Sequence, residues 1–501
     1  MLFLPLVFYA QNNKTETDLY KKANKLFEEE KFVEAGREFQ KLLSINQYNA
    51  EYNYKYGTCL LYSDGNKAVA IKYLKFASQQ PNPPKEVYYY LGKAYHINYQ
   101  FADAIKNYQK FISMASQKDK EKFQPEREIE MCNNGKKLLR NISDLIVIDK
   151  KEFRQNEFFR LYDLRDIGGN IIVVDELQTS LDKKKGHRPL VHIPKNTDII
   201  YFASYGDNES TGKDIYRVKR FPDGKWAKPQ LVAGYVNTKF DEDYPYMSPD
   251  GRFLYFCSKG HNSMGGYDVF RSYYDPNTET FGPPENVDFS INTPADDIFY
   301  IVDSLDQNAY FSSNRESRDN FIHVYRVRVE RIPVQLAIIK GKFYNEMNSS
   351  NLSATITVED ASGNDVIGVF NTRQADGNYL IVLPKSGKYK FTVVSDHSKL
   401  KHTGYVEIPY QKELRPLKQE LLLVDNNGQE LLKIRNLFDQ EVEDADLILA
   451  EVLKDKALLN PNASNFNLDS LNKANSKQQK DEVVDKALPT NLSNEELVKM
   501  V

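Results

Sequence analysis

The sequence predicts a multi-domain chain: an all-α repeat solenoid, then an all-β propeller of three to five blades, then a small β-sandwich, then a helical and disordered tail. Three observations carry this reading. First, a Tyr-Phe-x-Ser motif followed by an aliphatic-aromatic-Arg tripeptide occurs three times. The copies are Tyr201-Phe202-Ala203-Ser204 with Ile215-Tyr216-Arg217, Tyr255-Phe256-Cys257-Ser258 with Val269-Phe270-Arg271, and Tyr310-Phe311-Ser312-Ser313 with Val324-Tyr325-Arg326. Second, small residues recur at 34 or 35 positions in the first third of the chain, as Ala23, Gly57 and Gly92 and as Ala35, Ala70 and Ala104. Third, short alternating apolar runs bounded by turns fill residues 334–425. Periods of this size mean stacked copies of one supersecondary unit.

The 501 residues allow roughly three to four domains at about 150 residues each. With 67 basic and 70 acidic residues the formal charge is -3, and nothing in that balance points to the concentrated positive surface a nucleic-acid binder needs. Cys59, Cys132 and Cys257 lie far apart and form no CxxC, so buried thiols are expected rather than a disulfide framework. Residues 1–12 read as a signal-like segment: Met1 to Ala10 is apolar and the chain turns polar at Gln11-Asn12-Asn13, without a basic leading segment. The expectation is a protein exported by a signal peptide and periplasmic or outer-membrane-associated. No cysteine follows Ala10, so a lipoprotein anchor is not indicated. No other stretch approaches the roughly 20 apolar residues a bilayer span needs.

Residues 15–142 are expected to form the helical domain. In the third copy Tyr88, Leu91, Gly92, Tyr95, Ala104 and Tyr108 fall at the offsets of a tetratricopeptide repeat. The small residues let the two helices of a hairpin approach. A further helix near Glu126 to Leu139 is expected to cap the stack. Tyr20, Tyr54 and Tyr89 occupy one place in each repeat, and Asn24, Thr58 and Lys93 follow four residues later on the same helical face. Two readings stand for these six residues: a partner-binding groove for an extended segment, or tyrosines that only pack one repeat against the next.

Residues 145–330 are expected to form the propeller. Ser248-Pro249-Asp250-Gly251 marks a turn between strands, and Phe253 to Cys257 reads as a buried strand. The copies match beyond their opening motif at a spacing of 55: Trp226 with Phe281, Pro229 with Pro284, Asn237-Thr238 with Asn292-Thr293, and Asp241 with Asp296. Each unit therefore offers about four strands, one blade. The shared residues are framework, so specificity is expected in the variable stretches Gly206 to Gly212, Gly260 to Gly266 and Asn314 to Phe321.

Residues 334–425 carry the sandwich signal, with Ala354 to Val358 alternating and Asp376-Gly377-Asn378-Tyr379 turning into Leu380 to Leu383. Residues 426–501 open with apolar residues at helical spacing from Glu430 to Lys456. From Asn460 the polar composition predicts disorder or folding on a partner.

The order of these regions resembles multi-domain cell-envelope proteins of Bacteroidetes, some linked to type IX secretion and gliding. In those proteins tetratricopeptide repeats precede a WD-like propeller of the TolB kind, a carboxypeptidase-regulatory-like domain and an OmpA-type peptidoglycan-binding domain. Ser248-Pro249-Asp250-Gly251, Tyr255-Phe256 and Tyr267-Asp268-Val269-Phe270 look like the propeller repeat. Gly341, Asp376-Gly377-Asn378-Tyr379, Leu383-Pro384 and Gly387-Lys388-Tyr389 look like the regulatory-like domain. The resemblance covers residues 15–425. Lys433 to Asp439 is similar to the opening strand of an OmpA-type domain, but the Gly-His-Thr-Asp segment is absent and peptidoglycan binding is not carried over.

No HExxH, Gly-x-Ser-x-Gly or P-loop signature occurs, so the corresponding enzyme classes lack their residues. Asp241-Glu242-Asp243 has the carboxylates of a Ca²⁺ site, but the matching Asp296-Asp297 one unit later favours a structural role. No metal site and no cofactor are expected. The sequence therefore predicts a non-enzymatic envelope scaffold that binds protein partners through the helical groove and the propeller face. The second reading is a glycan or peptidoglycan-fragment binder using propeller loops near Asp207, Asp214, His261 and Asp268.

Overall fold

The computed structural model describes residues 4–140, 142–195, 197–207, 212–333, 336–361 and 365–458. The chain divides into two compact units, Met1–Pro333 and Val334–Val501. The first holds a helical region followed by several antiparallel sheets; the second is built mainly of two sheets.

The helical region comprises α1 (Leu4–Glu28), α2 (Phe32–Ile45), α3 (Ala50–Leu61), α4 (Val69–Ser78), α5 (Glu86–Ile97), α6 (Phe101–Met114), α7 (Gln117–Phe123) and α8 (Pro125–Leu138). Residues 4–12 of the signal-like segment lie in α1, and residues 1–3 lie outside the described residues. Successive helices pack as pairs, α1 with α2, α3 with α4, and α5 with α6. The recurring glycines set the closeness of these pairs. A Cβ on Gly57 would lie 2.8 Å from Leu74 Cγ, and one on Gly92 would lie 2.8 Å from Tyr108 Cδ1. Gly135 repeats the device in α8, where a Cβ would meet Phe101 Cζ of α6 at 2.6 Å. Helix α3 starts at Asn49, whose side chain accepts from Tyr52 N, and α8 starts on Pro125, whose fixed φ suits a first helical turn.

Three related sheets follow. The first pairs Ile199–Ser204, Asp214–Lys219 and Gln230–Leu231. The second pairs Glu242–Met247, Phe253–Ser258 and Asp268–Asp275, the last also taking Thr280–Phe281 and Glu285–Asn286. The third pairs Asp297–Val302, Asn308–Ser313 and Phe321–Pro333, and its outer strand is Ser143–Arg154 from the start of the β region. Asn170–Val173 pairs with Leu190–Ile193. The registers preserve the sequence repeat: Tyr201 faces Arg217, Tyr255 faces Arg271, and Tyr310 faces Arg326.

In the second unit, one sheet runs Asn378–Leu383, Ala337–Asn345, Pro416–Asn426, Gln429–Leu437, with its two central strands parallel. The other runs Val366–Asn371, Ala354–Asp360, Gly387–Ser395, Lys401–Ile408. They share a core that includes Ile339, Phe343, Ile356, Val358, Tyr379, Phe391 and Leu421. The expected helical run from Glu430 to Lys456 is instead a strand, Gln429–Leu437, and a shorter helix, Ala445–Leu458. The strand wins because Leu432 and Ile434 alternate onto the core and the turn at Asn427-Gly428, both at positive φ, folds the segment back on Pro416–Asn426. The expected tail from Asn460 lies outside the described residues.

Candidate functional site

The repeated serine of the Tyr-Phe-x-Ser motif ties its strand to a carboxylate, on the short helix Ser180–Lys185 in the first copy and on the neighbouring strand in the other two. Ser204 Oγ donates to Asp182 Oδ2 at 2.6 Å, and Ser258 Oγ donates to Glu242 Oε1 at 2.6 Å. Ser313 lies opposite Asp297 in the third copy. Each carboxylate also accepts the hydroxyl of a threonine three or four residues upstream: Thr179 for Asp182, Thr238 for Glu242, and Thr293 for Asp297. The recurring asparagines bridge a strand edge through both amide atoms. Asn237 accepts from Ile215 N and donates to Ile215 O, and Asn292 does the same with Val269. Asp241 accepts from Lys213 N as Asp296 accepts from Tyr267 N. The carboxylate run thus serves buried polar groups that would otherwise be unpaired. Burial raises the Glu242 carboxyl to about 7 against the pull of its Ser258 and Thr238 donors. Among the described residues no group of three or more His, Cys, Asp or Glu gathers as a metal cluster.

The loops joining these strands carry a second set of contacts, made with the helices. Arg127 of α8 donates to Lys259 O at 2.7 Å, Gly260 O at 2.9 Å, His261 O at 3.1 Å and Ser263 Oγ at 2.6 Å. Its guanidinium lies 4.9 Å from the Phe240 ring centre. One turn-pair further along, Asn134 donates to Ser263 O at 3.0 Å. His96 of α5 contacts Met264 O through Nε2 at 2.8 Å and Glu128 through Nδ1 at 3.3 Å. Glu128 also accepts the hydroxyls of Tyr89 and Tyr108. Burial opposes the charge on Glu128, yet the His96 hydrogen bond and the Lys93 ammonium hold its carboxyl at about 2. Burial likewise opposes the imidazolium of His96, but the adjoining Cys132 sulfur and Glu128 carboxylate push it up to about 10. Two further loops touch the connections between helices: Asp319 N donates to Asp64 Oδ1 at 2.7 Å, and Phe289 packs edge-on to Tyr99 at 5.7 Å.

The six groove residues do not share one environment. Tyr20 is half-buried and donates to Glu51, and Asn24 is half-buried between Glu28 and Lys55. Tyr54 is 7 % exposed, its ring against Phe27 and Tyr90. Tyr89 is 6 % exposed, ringed by Tyr90, Tyr108, Phe111 and Phe123. Thr58 is fully buried and donates back to Tyr54 O. Lys93 is half-buried with its Nζ 5.8 Å from the Tyr62 ring centre. Tyr54 packs against Phe27 of α1 and Tyr90 of α5, Tyr89 against rings of α5, α6 and α7, and the half-buried members are Tyr20, Asn24 and Lys93.

The four loop residues divide similarly. Asp207 is exposed. Asp214 is buried opposite Ser204. Asp268 is fully buried and accepts from Met264 N and Asn286 Nδ2, and desolvation drives its carboxyl well above the ordinary carboxylate range. His261 is half-buried, with Nε2 2.9 Å from Val236 O. Of the three stretches expected to carry specificity, Gly260 to Gly266 and Asn314 to Phe321 include the residues that meet the helices; part of Gly206 to Gly212 lies outside the described residues.

Sequence reasoning missed Arg127, Glu128 and Asn134. The available signal was α8 itself, a helix with little apolar surface whose buried residues include Asn134 and Gly135. A capping helix without an apolar stripe must bury polar contacts instead.

No family model matches the sequence, and no curated protein matches it. Among solved structures, the chain is similar to a candidate cell adhesion protein from Bacteroides ovatus at 10 % identity and a TM-score of 0.17, over 43 % of this chain and 92 % of that one. A second, a candidate cell adhesion protein from Bacteroides fragilis, is matched at 10 % identity and a TM-score of 0.15, over 50 % of this chain and 82 % of that one.

Proposed function

We propose that the chain is a non-enzymatic, exported scaffold of the cell envelope, in which tetratricopeptide-type repeats and a WD-like propeller form one rigid platform for protein partners. The observation that carries this reading is the Arg127 junction: strand loops spend their backbone carbonyls on a helix of the same chain. A platform locked this way holds two recognition surfaces at fixed separation, which lowers the ordering cost of engaging a partner at both. The helix pairs with small residues at 34- and 35-residue spacing support the repeat assignment. The three sheets with matching Thr, carboxylate and Ser ties support the propeller assignment. The motif resemblance supports a role in type IX secretion or gliding machinery. The glycan reading named Asp207, Asp214, His261 and Asp268; Asp207 is exposed, whereas Asp214 and Asp268 are buried and His261 bonds Val236 O, and we do not extend it.

The test is affinity capture with the full chain from envelope extract after mild cross-linking. A defined protein partner recovered in stoichiometric amount, and diminished by Tyr20→Ala with Asn24→Ala, supports the scaffold. Retention on purified sacculi with no protein partner refutes it.

A further inference from the structure

Among the described residues, four buried side-chain polar atoms have no hydrogen-bond partner within the chain. Two of them lie at the junction of helices and sheets: Arg127 Nε and Asp268 Oδ1. Buried polar atoms are almost always paired, so both are expected to have a partner. One is a donor and the other an acceptor.

The other polar atoms of both groups are engaged. Arg127 Nη1 donates to Glu130 Oε2 and His261 O, and Nη2 donates to Lys259 O, Gly260 O and Ser263 Oγ. Asp268 is 0 % exposed, and its Oδ2 accepts from Met264 N and Asn286 Nδ2, each at 3.0 Å. The guanidinium and the carboxylate therefore close on consecutive residues of one loop, Ser263 and Met264. That loop is held from other sides as well. Asn134 donates to Ser263 O, and His96 meets Met264 O. A Cβ on Gly265 would lie 2.5 Å from Pro294 Cα, and one on Gly266 would lie 2.1 Å from Asp296 Oδ1. Neither charged group can swing toward the other without giving up these bonds. Burial dominates the ionisation of Asp268, and the Arg127 guanidinium is among the groups that oppose it.

The third sheet shows a different solution. Its buried guanidinium is Arg315, carried by a loop of the sheet itself, and it meets Asp297 directly while Nε donates to Ser313 Oγ. In the second sheet the guanidinium comes from α8, and its Nη atoms hold the loop instead.

We propose that one buried water molecule bridges Arg127 Nε and Asp268 Oδ1, accepting from the guanidinium and donating to the carboxylate. Water fits this place because it accepts and donates at once. A metal cation would face the guanidinium, and an anion would face the carboxylate, each at a cost in a buried setting. A buried water bonded to such groups is part of the structure and costly to remove. It joins the charge of α8 to that of strand Asp268–Asp275 across the junction. The proposal stands apart from the scaffold reading, and the test of one does not bear on the other.

The test is a crystal structure of the full chain at atomic resolution. The expected result is a single density peak within about 2.7–3.2 Å of both Arg127 Nε and Asp268 Oδ1. Arg127→Lys keeps the charge but removes the Nε donor, and it should lose that peak. In solution, oxygen-17 magnetic relaxation dispersion should then count one fewer long-lived buried water in the folded variant than in the wild type. Direct contact between Nε and Oδ1 overturns the proposal, as does a peak bonded to only one of them or no peak at all. A peak with the short oxygen distances of a metal ion overturns it too, and so does an unchanged water count in folded Arg127→Lys. The wild-type structure decides the matter by itself should the variant not fold.

Discussion

Replacing Arg127 by Ala separates the helices from the sheets at their most concentrated contact. The side chain is 12 % exposed and donates four hydrogen bonds to the sheet loops, three to main-chain carbonyls and one to Ser263 Oγ, besides one to Glu130 of its own helix. A hydrogen bond from a charged donor contributes about 1.5–3 kcal/mol, and stranding a buried acceptor adds its desolvation cost. The four bonds share one guanidinium and are not additive, so the expected loss is about 3–5 kcal/mol, the range for breaking a buried charged contact. The chain contains one tryptophan, Trp226, placed in the sheet region, while far-UV circular dichroism is dominated by the helices. Urea unfolding followed by the two probes should give coincident transitions in the wild type. In Arg127→Ala the helical transition should move to lower urea, ahead of the tryptophan signal. Arg127→Lys should recover only part of the loss, because an ammonium cannot span the same fork of acceptors. Coincident, unshifted transitions in Arg127→Ala would refute the reasoning.

The junction should also be pH-sensitive. Glu128 titrates at about 2 instead of 4.5, so its contribution is present above pH 4.5 and fades as pH falls toward 2. His96 titrates at about 10 instead of 6.5, so its contribution is complete below pH 6.5 and fades as pH rises toward 10. The helical transition should therefore be most resistant between pH 4.5 and 6.5, and Glu128→Gln should flatten the acid limb in urea titrations across pH. Tyr89→Ala empties an aromatic site buried among four rings and should cost about 3–5 kcal/mol in chemical denaturation, whereas Tyr20→Ala should cost less than about 1.5 kcal/mol. A tyrosine groove tested by alanine at all three positions would thus report unfolding, not lost binding. In the second unit, a Cβ on Gly341 would lie 1.9 Å from Tyr379 Cζ, whose hydroxyl bonds Gln419 at 2.8 Å. Gly341→Ala should lower the melting temperature through about 1–3 kcal/mol of overpacking, and Tyr379→Phe made alone should cost less.

Periodicity written into the chain determined a good deal. Small residues at 34 and 35 residues, Ala23, Gly57 and Gly92, became helix pairs whose closeness needs them, because an added Cβ at Gly57 or Gly92 meets the partner helix. The three Tyr-Phe-x-Ser copies became strands in matching register, because a local hydrogen-bond circuit of Thr, carboxylate and Ser repeats with the sequence. Alternation in Ala354 to Val358 became a half-buried strand for the same local reason. What the sequence could not decide is which polar loop faces water. Gly260 to Gly266 varies between copies as a recognition loop would, yet its carbonyls meet Arg127, more than a hundred residues away. Nothing near Arg127 names that partner, because a long-range polar contact leaves no period behind. The unpartnered atoms Arg127 Nε and Asp268 Oδ1 are legible only after folding for a related reason. Their residues, distant in sequence, come to one loop only through the tertiary structure, where Arg127 bonds Ser263 and Asp268 bonds Met264.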